Sequence, residues 1–311
     1  MTDQRPSPDT SRIRSLLPWL LVAAVVAALA GGLVVALASN DDDDVARFNR
    51  EHHAGMPMGG SSSMPHQSGS SIPMQDDDSM PHAGAGAEAD GLAASHDGYS
   101  LSLLKQTTEL GTSALALRLE RDGQPVRDLE VQHTKRLHVI VARRDLTGYS
   151  HLHPQMRADG TWTSQLTLAE PGPYRVFADF QVDGDKHVLG ADLTVPGDYR
   201  PAKLPATATS ATVDGYRVTV NRDARSGDVR FQVFRDGQPV TQLAQVLGAR
   251  GHLVALRASD LAYLHTHPDE SVTGNRIDFA TDFPAAGAYR LFLQFSAGGA
   301  IHTAQFTVKA S

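Results

Sequence analysis

Short runs of alternating apolar and polar residues extend along the chain downstream of residue 97, for example YRVTV (216–220) and HLVAL (252–256). Alternation with a period of two places the apolar side chains on one face of an extended chain, and it predicts β-strands. Gly, Pro, Asp and Asn interrupt the runs, and no long segment with helical periodicity occurs in this region. The pattern therefore predicts antiparallel β-sandwiches.

An internal repeat divides this region into two similar halves. The segment DGQPV at 122–126 recurs at 236–240, and RLHVIVARRDLTGYSHLHP at 136–154 aligns without a gap on 250–268, both at an offset of 114 residues. Self-similarity at one fixed offset indicates a duplicated structural unit.

The repeat boundaries define the predicted architecture. GPYRVFADF (172–180) matches GAYRLFLQF (287–295), and we expect its aromatic residues to fill a sandwich core, with a tyrosine hydroxyl tying down a corner. The sequence thus predicts an all-β protein with tandem immunoglobulin-like β-sandwich repeats. They cover residues 97–198 and 212–311, and a proline-containing linker at 199–211 joins them.

An uncharged apolar run at residues 16–38 is long enough to cross a bilayer as a helix. Arginines precede it and Asp41 to Asp44 follow it, so the positive-inside rule places residues 1–15 in the cytoplasm. We therefore predict a single-pass cell-membrane protein whose bulk is extracytoplasmic. A cleaved signal peptide is the alternative, because Ala36-Leu37-Ala38 resembles a cleavage site, although the apolar run is longer than such peptides need.

Residues 39–96 are rich in Gly, Ser, Asp, Ala, Met and His, a composition that predicts a disordered linker. Thioethers favour Cu(I), and imidazoles also bind Cu(II) and Zn(II). We predict that this tail scavenges metal, with compositional drift as the alternative. Its candidate ligands are His52, His53, Met56, Met58, Met64, His66, Met74, Met80 and His82.

Four histidine positions recur in both repeats. In an HxH pair on a strand, both side chains point to the same face with Cβ atoms about 6.5–7 Å apart, so two imidazoles can converge on one cation. A third histidine from a neighbouring strand would complete a site, with Tyr149 and Tyr263 as supporting residues. The candidate metal ligands are His138, His151, His153 and His187 in the first repeat, and His252, His265, His267 and His302 in the second. The alternative is structural: HxHP ends a strand, and its histidines bond to backbone groups.

Composition narrows the chemistry of such a site. The chain contains no cysteine, which excludes thiolate zinc sites, blue copper, iron–sulfur centres and a cysteine nucleophile. Imidazoles without thiolates suit copper or, as second candidate, zinc. The formal charge is −7 and the basic residues form no stripe, so nucleic acid is not an expected partner.

The segments GHLVAL (251–256), YLHTHP (263–268) and GAYRLFLQF (287–295) resemble an uncharacterised group of membrane-anchored or secreted bacterial proteins, often labelled heavy-metal-binding-like. The resemblance implies an extracytoplasmic β-domain linked to metal. The first repeat departs from the pattern at Leu137, which stands where the second has Gly251.

The expected function is metal binding outside the cytoplasm, for buffering, delivery or resistance. A non-catalytic module that binds another envelope protein, with structural histidines, is the first alternative. A cupin-like or superoxide-dismutase-like metalloenzyme is the second, although the acid of the sequence HTHPDE (265–270) is misplaced for a cupin. We do not expect an enzyme, because the familiar nucleophile and phosphate-binding motifs are absent from the sequence.

Overall fold

The structure is a computed structural model that describes residues 90–223, 227–264 and 266–311. All regular structure in these ranges is β, which confirms the predicted all-β class. Within the same ranges, no helix is long and apolar enough to cross a membrane. The predicted anchor at 16–38 and the linker up to residue 89 lie outside the described residues.

The first repeat consists of ten strands: β1 (Ser95–His96), β2 (Tyr99–Leu103), β3 (Gly111–Arg121), β4 (Gln124–Pro125), β5 (Leu137–Arg143), β6 (Ser150–Leu152), β7 (Gln155–Met156), β8 (Trp162–Leu168), β9 (Gly172–Val182) and β10 (Asp185–Val195). One sheet has the order β1-β2-β3-β8-β7, with β4 added to β3. The other has the order β10-β9-β5-β6, and all neighbouring strands are antiparallel. The two sheets enclose an apolar core.

The second repeat has the same topology in its own ten strands: β11 (Ser210–Val213), β12 (Tyr216–Arg222), β13 (Val229–Arg235), β14 (Gln238–Pro239), β15 (Gly251–Arg257), β16 (Tyr263–Leu264), β17 (Thr266–Pro268), β18 (Arg276–Thr281), β19 (Gly287–Ala297) and β20 (Ala300–Ala310). Its sheets have the orders β11-β12-β13-β18-β17, with β14 on β13, and β16-β15-β19-β20. The predicted duplication of a β-sandwich is therefore confirmed.

A tyrosine ties down the same corner in each repeat, as the GxYR motif predicts. The Tyr174 hydroxyl donates a hydrogen bond of 2.7 Å to the carbonyl of Glu170. The Tyr289 hydroxyl donates one of 2.8 Å to the carbonyl of Ala285. Both rings are fully buried, so each tyrosine fills the core and anchors the loop before its strand.

The four-stranded sheets are covered on both faces. In β5, Val139 and Val141 point into the first sandwich, whereas Ile140 points outward into a second apolar cluster. Val254 and Leu256 of β15 join that cluster from the second repeat. We call this contact the inter-repeat interface, and it explains why β5 is apolar at nearly every position instead of at alternate ones.

Contacts across the inter-repeat interface are reciprocal. Tyr149 of the first repeat stacks on Phe292 of the second, with ring centroids 4.2 Å apart. Tyr263 of the second repeat contacts Phe177 of the first, with centroids 5.7 Å apart. Each tyrosine is the other's counterpart in the duplication, and so is each phenylalanine. Reciprocal contacts of this kind define an isologous, approximately two-fold interface.

The boundary between linker and first repeat differs from the predicted one. The backbone N–H of Gly91 donates to the carbonyl of Val188 at 3.1 Å, and Arg175 donates to the carbonyls of Gly91 and Leu92. The short strand β1 follows directly. Residues 90–96 therefore belong to the sandwich, because β10 and Arg175 form hydrogen bonds with their backbone groups. The composition of the segment does not reveal these contacts.

Candidate metal centre

The register of the first four-stranded sheet sets the face on which its histidines lie. Directly paired residues in antiparallel strands point to the same side, and side chains alternate along each strand. His151 of β6 pairs with Ile140, and His138 lies two residues before Ile140 on β5. Both histidines therefore point outward, towards the inter-repeat interface. His153 follows His151 by two residues and shares this side.

Three imidazoles meet at this position. The Nδ1 atom of His138 lies 3.1 Å from the Nε2 atom of His151. The possible ligand atoms of His138, His151 and His153 all lie within 4.8 Å of one another. A metal–nitrogen bond of about 2.0–2.1 Å puts two ligands about 2.9 Å apart at a right angle and about 3.3 Å apart in a tetrahedron. The separation of His138 and His151 thus already fits two ligands of one ion.

Hydrogen bonds hold these two rings in place. His138 Nε2 lies 2.9 Å from the carbonyl oxygen of Gln132, so it carries the proton and donates. His151 Nδ1 lies 2.7 Å from Gln294 Oε1, and this contact holds the ring in place. The remaining nitrogens, His138 Nδ1 and His151 Nε2, face each other across the 3.1 Å contact. A cation bound by both would replace this contact with two metal–nitrogen bonds.

Burial keeps the cluster neutral. Together with the neighbouring imidazoles, burial lowers the pKa of His151 to about 3 and that of His153 to about 2. The pKa of His138 is lowered as well, chiefly by burial. Neutral imidazoles are the form that binds metal, so around pH 7 no proton has to be displaced from these three rings.

The second repeat contributes directly to the cluster. The ring of His252 stacks on His138 with centroids 5.5 Å apart and planes 7° apart, and on His151 with centroids 4.6 Å apart. Gln294 of β19, the partner of His151, also belongs to this repeat. Burial, followed by the charges of the neighbouring histidines, lowers the pKa of His252 well below its usual value. The cluster therefore lies on the inter-repeat interface.

A buried carboxyl group and a further histidine border the site. Asp179 is the strand partner of His138 on β9, and its Oδ2 accepts a 3.0 Å hydrogen bond from the Tyr263 hydroxyl. Burial raises the pKa of Asp179. The His133 ring lies 6.2 Å from His138 and 5.8 Å from His252 between centroids. Asp179 and His133 both line a small pocket together with His138, His252 and Tyr263.

Two imidazole nitrogens in the cluster lack hydrogen-bond partners among the described residues. They are the buried Nε2 atoms of His153 and His252. Buried polar atoms are nearly always hydrogen-bonded, and each exception calls for a physical reason. Here both atoms belong to a group of neutral imidazoles, where a bound cation would supply the missing interaction.

The structure does not bring His187 and His302 into the cluster, contrary to the sequence expectation. His187 pairs with Phe180, which pairs with Leu137, so it faces the sandwich core on the side opposite to His138. It packs on Tyr99, with centroids 4.4 Å apart. A shift of one residue in strand register reverses the face, and spacing in the sequence does not reveal it.

His302 has a structural role in the second repeat. Its Nδ1 lies 2.8 Å from Asp214 Oδ2, and its Nε2 lies 3.0 Å from the carbonyl oxygen of Ala297. His267 is exposed on β17, near enough for its charge to lower the pKa of His133. His265 and the histidines and methionines of the tail lie outside the described residues.

Sequence reasoning missed His133, Asp179 and Gln294. The search relied on recurrence, and His133 does not recur: its counterpart in the second repeat is Leu247. Asp179 and Gln294 occupy equivalent positions in the two repeats but are different residue types, so a search for recurring residue types does not find them either. A usable signal existed for Asp179, because a charged residue inside an otherwise apolar strand needs a partner.

The turn that carries His133 also has a distinctive backbone. His133 and Thr134 have φ values of 46° and 71°, and Gln132 and Lys135 exchange backbone hydrogen bonds of 2.8 and 2.9 Å around them. Two successive residues with positive φ form a tight turn of the kind that usually uses Asn and Gly. The turn presents the imidazole of His133 at the edge of the pocket.

Fold and site together define a tandem β-sandwich protein with an imidazole cluster where its two repeats meet. Residues 94–197 and 211–311 each match the family described as Domain of unknown function (DUF8832). The chain belongs to this family and contains its domain twice. No curated protein matches the chain.

Several solved structures show weak similarity. One is a DUF4426 family protein from Pseudomonas aeruginosa, with 15% identity over 33% of this chain and 96% of that one, at a TM-score of 0.24. Another is a Salmonella alpha-2-macroglobulin mutant, with 16% identity over 72% of this chain and 15% of that one, at 0.25. InvD of Yersinia pseudotuberculosis has 15% identity over 70% of this chain and 58% of that one, at a TM-score of 0.23.

Proposed function

We propose that this protein binds a metal ion, copper in preference to zinc, on the extracytoplasmic side of the membrane, for buffering, delivery or resistance. The observation that carries the proposal is the pair of ring nitrogens, His138 Nδ1 and His151 Nε2, which lie 3.1 Å apart with His153 beside them. The apolar run at 16–38 supports membrane anchoring, with residues 39–96 as a tether.

The donor set supports copper ahead of zinc. A site made only of imidazoles accepts both ions, and divalent copper binds more tightly than zinc at a given nitrogen site. The methionines of the tail add a preference for Cu(I), which zinc does not share. A tail that collects the ion and a sandwich site that holds it would suit buffering or transfer.

The surrounding residues suit reversible binding. Gln132 and Gln294 hold the rings of His138 and His151 in the orientation that exposes one nitrogen of each, which reduces the ordering that binding requires. Asp179 lies beside the cluster and provides negative charge that offsets the charge of a bound cation. His133, at the edge of the pocket, is placed to receive or release the ion.

The test is a titration of the full-length protein in detergent with Cu(II) and, separately, Zn(II). The experiment compares the wild type with a His138→Ala, His151→Ala, His153→Ala variant. A His96→Ala variant serves as the control, because that histidine lies on β1 away from the cluster. In all of them the nine tail ligands are replaced by serine, so that only the sandwich site is counted.

We expect one tight equivalent of copper in the wild type and in the control, weaker binding of zinc, and loss of the tight equivalent in the triple variant. Tight binding that survives in a folded triple variant would overturn the proposal. Absence of tight binding in the wild type would also overturn it, and would favour the envelope protein-interaction module.

A further inference from the structure

Building on the proposed function, we infer that the metal site is shared between the repeats: His252 of the second repeat supplies a further ligand, and one ion per chain locks the two repeats together. A duplicated domain would ordinarily carry two independent sites, one in each sandwich. The geometry points to a single composite site.

The approximate two-fold relation of the repeats explains why one site results. His138 and His252 are counterparts in the duplication, and their rings stack on each other with planes 7° apart. A residue that contacts its own counterpart lies close to the two-fold axis of an isologous interface. The two-fold operation applied to the first site would place a second ion on the other side of this axis, within a few ångströms of the first. The charges of two ions at that distance would repel each other.

His252 has the chemistry of a ligand. Its Nε2 is buried and has no hydrogen-bond partner among the described residues. Its ring lies 4.6 Å from that of His151 and 5.8 Å from that of His133, between centroids. The rings of His138 and His151 both contact that of His252, so a rotation about the side-chain bonds of His252 would bring this nitrogen towards the nitrogens of the other two.

The second repeat also orients ligands of the first. Gln294 holds the ring of His151, so the orientation of a first-repeat ligand depends on a second-repeat residue. Tyr263 fixes Asp179, the strand partner of His138. The site is therefore complete only when the repeats are docked.

This dependence couples metal binding to docking. Around the cluster, the inter-repeat interface is an apolar contact that includes Tyr149 on Phe292 and Tyr263 on Phe177. A ligand that binds only the docked state stabilises that state, and docking raises the affinity for the ligand by the same factor. Loss of the ion would loosen the repeats, and separation of the repeats would release the ion.

The experiment is hydrogen–deuterium exchange on the full-length protein with and without one equivalent of Cu(II), combined with copper titration. The wild type is compared with His252→Gln, which keeps a polar side chain of similar length, and with the His96→Ala control. The tail ligands are replaced by serine as before. Peptides from β5 report on the first repeat, and peptides from β15 report on the second.

We expect one equivalent of copper to slow exchange in both β5 and β15 of the wild type and of the control. In His252→Gln the affinity should fall at least tenfold, and the protection of β15 should be lost while that of β5 remains. Unchanged affinity in His252→Gln, or two equivalents that each protect one repeat, would overturn the shared site while leaving the proposed function intact. Failure of the wild type to bind copper tightly would overturn both.

Discussion

Acid should destabilise the metal-free protein through its buried histidines. Burial lowers the pKa of His151 to about 3 and that of His153 to about 2 in the folded protein. In the unfolded chain a histidine has a pKa of about 6.5. Between these values the unfolded chain binds more protons than the folded one, so the free energy of unfolding falls as the pH falls from about 7.

The size of the effect follows from the two pKa values. Each unit of pH below 6.5 lowers the free energy of unfolding by about 1.4 kcal/mol for every histidine that stays neutral in the folded state. At pH 5 this amounts to about 2 kcal/mol for His151 and about 2 kcal/mol for His153. The raised pKa of Asp179 acts in the opposite direction, but it is one group against several histidines. These two histidines together thus lower the free energy of unfolding by up to about 4 kcal/mol. That is a large part of the total of about 5–15 kcal/mol for a typical domain.

The assay is urea denaturation at pH 7.5, 6 and 5 in the presence of a chelator. A His151→Gln, His153→Gln variant removes both groups and should lose their share of the pH dependence, whereas His96→Gln should keep the wild-type dependence. A wild-type free energy of unfolding that is the same at pH 7.5 and pH 5 would show that these imidazoles are accessible and charged, and would refute the buried neutral cluster.

Three further variants test individual contacts. Gln294→Leu removes the acceptor of His151 Nδ1, and copper titration should show an affinity about 10–100-fold weaker; an unchanged affinity would contradict the orienting role. Tyr174→Phe removes one corner hydrogen bond and should lower the free energy of unfolding by about 1 kcal/mol without changing copper affinity. Gly190→Ala would place a Cβ atom 1.9 Å from the carbonyl oxygen of Gly91, so urea denaturation should show a loss of about 2 kcal/mol or more; wild-type stability would mean that this segment is not packed there.

The sequence predicted the sandwich repeats and the corner tyrosines because both depend on local pattern. Alternation identified strands such as β12 and β15, and the repeated GxYR motif identified Tyr174 and Tyr289. It also included His138, His151 and His153 among eight candidate histidines, and the strand register brings these three together.

Strand register and docking of the repeats could not be predicted in the same way. His187 recurs like the other histidines, yet it lies on the opposite face because its register partner is Phe180. Sequence alternation did not show that the cluster lies between the repeats, although the continuous apolar run of β5 was a signal that both faces are covered. His133 and Gln294 lie at this contact and do not recur in type, so a search for recurring residues within each repeat passed over them.

Electron paramagnetic resonance of the full-length protein with one equivalent of Cu(II), its tail ligands replaced by serine, tests the central claim most directly. The account predicts hyperfine coupling to at least three imidazole nitrogens, one of which disappears in His153→Ala. A spectrum that is identical in the wild type and in the folded His138→Ala, His151→Ala, His153→Ala variant would contradict it.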